Sequence, residues 1–413
     1  MAGYALLLFA LVVARAISPL PPSGVYMNTP GNILIVATGD DSVFEAFYTV
    51  LDEVAHALTC ENSTFFIGPG LGCDTGHVYG PVWAQRFGCA DTLVVSAGNL
   101  NCPDNRVILF DPCSDAYFWF GDFAPGSDDQ HLNNPKHAAV IRTDIDRGHR
   151  VKDVCNETFE VEPILFIFRD VDIIITDSGN NRILIIEVYN CAHDEGQFHS
   201  RLVWKFGPTS GHLKLNNPSM SQVLGNGNIL IADTGNHRIL EIDRRGRLVS
   251  EFNTSIPSPT SVSRIDWEWV TNITDQSELL GEELIVDSTR NEFIQLNTFT
   301  GKVKNTFPNR VEGEYSPTGL EYHIDDLTYA LRVFDKNHYL IVDAKQGAVY
   351  LYNRHKDSID VTVPELDNPL SASMIGDYMG LTVPPYYPDY PLQQCPFGGG
   401  TPDLRFCELC YFD

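Results

Sequence analysis

Residues 228–241 read NILIADTGNHRILE, and residues 172–185 read DIIITDSGNNRILI. In each, an apolar run ends on Asp, a Ser/Thr-Gly-Asn reversal follows, and an Arg opens a second apolar run. That is the pattern of two short antiparallel strands joined by a turn whose residues tolerate positive φ. Weaker copies are ELIVDSTRNEFIQL at 283–296 and YLIVDAKQGAVYLY at 339–352. The Asp residues fall at 177, 233, 287 and 343, spacings of 56, 54 and 56. A near-constant interval across divergent copies is the mark of repetition.

Working outward, Asp233 lies fifteen residues after Pro218, and the same count from Pro22 and Pro81 reaches Ala37 and Ser96 in otherwise similar runs. These two copies have lost the Asp but keep the register. Prolines also open units at 135, 259, 317 and 369, and the proline-to-proline lengths are 59, 54, 83, 41, 58 and 52. The shortest is about the length of a four-stranded propeller blade, and the longer ones read as blades carrying loops. The unit from Pro218 contains four short strands with Gly or Asn at each reversal. One such unit cannot bury both faces of its sheet, and closure into a ring supplies the missing neighbours.

LIADTGNHRILEID, its following Gly246, and TDSGNNRILIIEV resemble the NHL-repeat family of β-propellers, and more loosely arylsulfotransferase-like propellers. The resemblance covers 22–381 in outline and implies an all-β fold, a six-bladed β-propeller of four-stranded antiparallel blades. The seventh start, at Pro369, either closes the ring on the N-terminal blade or begins a seventh blade. Asp and Asn of the repeated turn are expected to satisfy turn amides, and its Arg to pack between blades.

Before the repeats, residues 5–13 (ALLLFALVV) followed by Ala14-Arg15-Ala16 have the form of a signal peptide and its cleavage site. The expected organisation is therefore a signal peptide at 1–16, a propeller at 17–383 and a tail at 384–413. Lys and Arg number 28 against 54 Asp and Glu, a net charge of 28 − 54 = −26. Such a balance argues against a nucleic-acid partner, which is engaged through Lys and Arg. No later run is long and apolar enough for a transmembrane segment.

An extracellular, secreted glycoprotein is the expectation, because four sequons stand at Asn62, Asn156, Asn253 and Asn272. The ten cysteines, Cys60, Cys73, Cys89, Cys102, Cys113, Cys155, Cys191, Cys395, Cys407 and Cys410, are expected in structural disulfides. Cys102 with Cys113 and Cys155 with Cys191 are plausible pairs, though spacing does not determine connectivity. The last three cysteines lie in a Pro-, Gly- and Tyr-rich tail that reads as an extended segment.

Propeller chemistry is sought on the innermost strand of each blade. Three past each proline the residues are mostly apolar; two and four past it, Trp83, Gln85, His137, Gln222 and Glu321 are expected to line the channel. That wall holds one His and one acid. His137 and Glu321 are the catalytic candidates, but zinc chemistry wants three converging ligands and acid–base work a paired set. No cofactor is expected. Calcium is the ion that acid pairs such as Asp128-Asp129, Asp144 with Asp146 and Asp325-Asp326 could hold, although solvated acidic loops are the commoner explanation of such pairs. The reading is a binding or interaction module for a protein or glycan, cationic partners being favoured by the charge. The alternative is a propeller enzyme, a hydrolase, lyase or sulfotransferase-like catalyst at the channel.

Overall fold

The computed structural model describes residues 33–374, except 40–41, 47–63, 68–77, 87–91, 99–101, 112–115, 144–170, 191–197, 225, 254–255, 265–281, 299, 308–323, 334–337 and 356–357. The described residues form six antiparallel four-stranded sheets arranged as a β-propeller. Five sheets are each built from one contiguous stretch. Blade 1 is composite: β1 (Ile33–Ala37), β2 (Ser42–Ala46) and β3 (Thr64–Ile67) are completed by β24 (Pro369–Met374), which pairs with β1.

Blade 2 is β4 (Pro81–Arg86), β5 (Thr92–Ser96), β6 (Asn105–Asp111) and β7 (Ala116–Asp122). Blade 3 is β8 (Pro135–Thr143), β9 (Val171–Asp177), β10 (Arg182–Asn190) and β11 (Phe198–Phe206). Blade 4 is β12 (Met220–Val223), β13 (Ile229–Asp233), β14 (Arg238–Ile242) and β15 (Leu248–Phe252). Blade 5 is β16 (Pro259–Arg264), β17 (Glu282–Asp287), β18 (Glu292–Asn297) and β19 (Lys302–Phe307). Blade 6 is β20 (Leu327–Val333), β21 (His338–Asp343), β22 (Ala348–Asn353) and β23 (Ser358–Val363).

Two expectations are corrected by this topology. The seventh-blade alternative is not what forms: the first unit supplies three strands, and the Pro369 stretch closes the ring on it as the fourth, the other outcome expected of that stretch. A strand left alone at either chain end would expose a row of unpaired amides, and pairing first with last removes both edges. The unit assigned to Pro317 also starts later, because its inner strand begins at Leu327, which pairs with Asp343 as Pro135 pairs with Asp177.

The middle two strands of each contiguous blade are largely buried on both faces, as in β9, where all seven residues are buried. This is why they read as unbroken Ile, Leu and Val runs. One hydrophobic cluster takes in side chains of all six sheets, among them Ile35, Trp83, Ala138, Met220, Val262 and Tyr329. The outermost strands are wetter: Leu248 and Val249 of β15 are exposed.

Cys102 is disulfide-bonded; the other nine cysteines, and every pairing proposed for them, lie outside the described residues, as do the leader, the tail and the sequons at Asn62, Asn156 and Asn272. Asn253 is exposed at the end of β15. No helix among the described residues is long and apolar enough to cross a membrane.

Candidate functional site

The repeated turn builds one end of the ring. After β9 the chain makes a short 3₁₀ turn at Ser178–Asn180 and reverses through Asn181 at φ 53°; after β13 the same shape runs through Thr234–Asn236 and His237 at φ 57°. The Asp before each turn is fully buried and serves the loop that enters the blade. Asp177 Oδ1 accepts the Asn133 amide at 2.8 Å, and Asp233 Oδ1 accepts the Asn216 amide at 2.8 Å.

The second carboxylate oxygen takes a side-chain amide and a guanidinium. Asn180 Nδ2 and Arg182 Nε donate to Asp177 Oδ2 at 2.8 and 2.6 Å, and Asn236 Nδ2 and Arg238 Nε donate to Asp233 Oδ2 at 2.9 and 2.8 Å. Arg182 goes on to donate to the carbonyls of Ser127, Asp128 and His131, so it ties down the entering loop. The Arg expected to pack between blades thus bonds the segment that joins blade 2 to blade 3: a buried guanidinium needs acceptors, and these carbonyls provide them.

The next residue of the motif links neighbouring blades. Asn105, Asn181 and Asn291 each present Oδ1 to an amide at the start of the following blade, Asn134, Asn217 and Leu327 respectively. Asn134, Asn217 and Asn368, just before the prolines, all have φ near +50° (48°, 49° and 50°). Asn is among the few residues with a side chain that enter this region readily.

At the axis the inner strands meet. Trp83 of β4 lies 4.5 Å, centroid to centroid, from the His137 ring of β8, and 5.1 Å from Tyr329 of β20. Blades 2 and 6 are not neighbours in the ring; Trp83 reaches across because the blade between them presents only Ser371 at that level. All four side chains are at least nine-tenths buried. The aromatic rings therefore close the centre at this layer.

His137 Nδ1, Trp83 Nε1 and Ser371 Oγ have no hydrogen-bond partner there. Burial lowers the His137 pKa from 6.5 to about 3, so its ring is neutral near pH 7.

Gln85 and Gln222, placed on the channel by alternation, do something else. Gln85 Oε1 accepts the Val140 amide of blade 3 at 3.0 Å. Gln222 both accepts the Arg264 amide at 2.9 Å and donates to the Arg264 carbonyl at 3.2 Å. They staple one inner strand to the next. Alternation separates two sides of a strand, and in radial sheets both sides face another blade.

Glu321 lies outside the described residues. Sequence reasoning missed Tyr329 because it counted forward from Pro317; counting back from Asp343 by the Trp83-to-Ser96 interval of thirteen lands one residue away.

The far end of the ring, where each inner strand ends, carries buried ion pairs. Arg264 donates to Glu241 at 2.7 Å and pairs with Glu283, while Arg332 donates to Glu282 at 3.2 Å. Three carboxylates of the acid pairs considered for calcium have protein partners. Asp128 accepts the amides of Gln130 and His131, Asp129 meets Lys205 at 2.6 Å, and Asp325 Oδ2 lies 3.6 Å from Lys345 Nζ. Asp144 and Asp146 lie outside the described residues. Among the described residues no group of three or more His, Cys, Asp or Glu side chains could hold a metal ion.

No protein family and no curated protein matches this chain by sequence. Solved structures of similar shape exist. A chain of the nidogen/laminin complex aligns with a TM-score of 0.50 at 11% identity over 85% of this chain and 99% of its own length. A protein of unknown function from Bacteroides caccae aligns with a TM-score of 0.48 at 11% identity over 83% of this chain and 98% of its own. Virginiamycin B lyase from Staphylococcus aureus gives 0.40 at 11% identity over 82% and 86%. At such identity the likeness to the nidogen/laminin chain concerns the fold alone, and it agrees with the β-propeller formed by the sheets described above.

Proposed function

We propose that this chain is a secreted glycoprotein whose NHL-like propeller, the composite sheet counted as its sixth blade, works as a binding module through its inserted loops. The observation that carries the reading is the axis. Its centre is filled by Trp83, Tyr329 and a neutral, buried His137, which leaves a substrate no approach to the one channel histidine at that layer. A general acid or base works best with a pKa near the operating pH, and His137 is displaced far below it.

Two long connections between a blade's first and second strands, 144–170 after β8 and 265–281 after β16, leave from the same end of the ring. That end, away from the Asp turns, is the proposed binding surface. The net charge of −26 favours cationic partners, and the propeller of the nidogen/laminin complex is a precedent for protein recognition on this fold.

Replacing residues 144–163 with a short Gly-Ser linker tests the surface. Capture of partners from an array of extracellular proteins should be lost while circular dichroism and the melting transition are retained. An unchanged capture profile would remove this face from the reading.

A propeller enzyme remains the rival, favoured by the unpartnered His137 Nδ1. Turnover of a substrate that vanished on joint replacement of His137 and Glu321 would establish it.

A further inference from the structure

The net charge of −26 is not spread evenly round the ring. At the end away from the Asp turns, the third strand of each blade turns back into the fourth, at the outer rim. In blades 4, 5 and 6 these connections, taken with the first three residues of the fourth strand, read DRRGRLVS at 243–250, TFTGKVK at 298–304 and RHKDSID at 354–360. They hold seven Lys and Arg against three acids. The corresponding stretches of blades 1, 2 and 3, residues 47–66, 112–118 and 191–200, hold six acids and no Lys or Arg. Half of this rim is therefore cationic and half anionic, by sequence and by the strands that each stretch joins. Most of the acidic half, and residues 356–357, lie outside the described residues.

The cationic half presents its charges outward. In blade 4, Asp243 Oδ1 accepts the amides of Arg245 and Arg247, both at 2.9 Å, and Oδ2 accepts Arg247 Nε at 2.6 Å. The acid thus shapes the turn, and it keeps only 19% of its side chain exposed against 69% for Arg247. Arg244 and Arg245 are exposed beside it. In blade 5, Lys302 is exposed, and Lys304, 44% exposed, pairs with the buried Glu282. Arg354 of blade 6 leans back onto blade 5: its Nη1 donates to Gln295 Oε1 at 3.4 Å, and its guanidinium lies 4.9 Å from the centre of the Phe307 ring. The charges of blades 5 and 6 thereby run together into one arc.

We propose that this arc binds a sulfated polysaccharide. Guanidinium forks suit tetrahedral oxyanions, and clustered Arg and Lys on successive blades suit a polymer that carries such a group at every few ångströms. A narrow, flexible chain can follow one arc. A nucleic-acid duplex or an anionic membrane is broad enough to lie over the acidic half as well, and is repelled there. Screening over about 8 Å at physiological salt keeps the acidic half from repelling a chain held on the opposite arc. The inference rests on the reading of this end as the binding surface of a secreted protein, and it gives blades 4 to 6 an anionic partner while leaving cationic ones to the acidic half.

The test uses the full chain and heparin as the probe, by affinity chromatography and calorimetric titration in sodium chloride of physiological ionic strength. The wild type should be retained and should be released by soluble heparin but not by desulfated heparin. Arg245→Glu and Lys302→Glu reverse two exposed charges of the arc, and each should weaken binding about three- to tenfold, roughly twice the free energy of an exposed ion pair. Lys345→Glu makes the same change of net charge in the Asp turn of blade 6, at the opposite end, and should leave binding unchanged. Circular dichroism of the three variants checks that the fold is kept. The Gly-Ser linker at 144–163 should also leave heparin binding unchanged, because that insertion belongs to blade 3.

The proposal is overturned by a wild type that passes through heparin, by a Lys345→Glu protein weakened as much as Arg245→Glu, or by duplex DNA competing as well as heparin. Loss of heparin binding with the linker would move the anion to the insertion and overturn it too. A wild type that ignores heparin, yet loses its captured partners with the linker, would leave the binding surface standing and this inference fallen.

Discussion

Blades 3 and 4 take the clamping carboxylate from the end of the second strand; blade 2 takes it from the beginning of the third. Where Asp177 and Asp233 stand, blade 2 has Ser96, and the acid has moved to Asp104, next to Asn105 and Arg106. The interactions survive the move. Asp104 accepts Arg106 Nε and Nη2 at 2.6 and 2.8 Å, the Ser96 hydroxyl at 2.7 Å, and the Tyr79 amide at 3.4 Å. The loop entering blade 2 is therefore held by a buried carboxylate and guanidinium, as in blades 3 and 4. What the repeat preserves is a charge pair at a point in space, and its address in the chain is free to shift by several residues.

The sharpest way to break this comparison is to remove the charge in both settings. Asp104→Asn should cost about 3–5 kcal/mol in urea unfolding, because it removes the buried carboxylate that Arg106 meets, and Asp233→Asn should cost less, because Arg238 keeps Glu251 at 3.5 Å. A loss at Asp104 below about 1 kcal/mol would mean that blade 2 does not depend on the relocated acid.

His137, which blade 3 packs against Trp83 of blade 2, should make the junction between these blades acid-sensitive. Its folded pKa, about 3, lies below the ordinary 6.5, so the unfolded chain binds the extra proton. Its contribution is complete above pH 6.5 and is lost as the pH falls toward 3, at about 1.4 kcal/mol per pH unit. His137→Gln should flatten the wild-type slope in that window, and equal slopes in the two proteins would refute the assignment.

A smaller effect sharpens the link between blades 4 and 5. Gln222→Ala strands the Arg264 amide and carbonyl and should cost about 1–3 kcal/mol, with Gln85→Ala behaving alike at Val140; equilibrium unfolding of the two variants would measure both. The rim of the blade-3 clamp should matter least. Lys205 and Asp129 meet with side chains 45% and 53% exposed, so a double-mutant cycle should give less than about 1 kcal/mol.

Much of the fold was legible before any coordinates. Period-two runs punctuated by Gly and Asn, and an Asp returning at intervals of 54 to 56, already implied repeated antiparallel sheets. Asp104 was legible too, since Asp-Asn-Arg ahead of VILF matches the end of the repeated turn, but a search anchored on strand-terminal Asp passes it by. The roles of Gln85 and Gln222 were not legible, because a two-residue period tells the sides of a strand apart without naming what each side meets. Nor was the filled axis. Whether Trp83 opens a channel or plugs it depends on how small the residue on the intervening blade is, and that blade is assembled from opposite ends of the chain.

The sequence by itself thus determined the local units: strand, tight turn, strand, and the buried charge that pins each entering loop. These depend on residues within a few positions of one another, whose chemistry travels with them. Only the tertiary structure decided which side chains converge, because closing β24 onto β1 sets the neighbours of every inner strand at once.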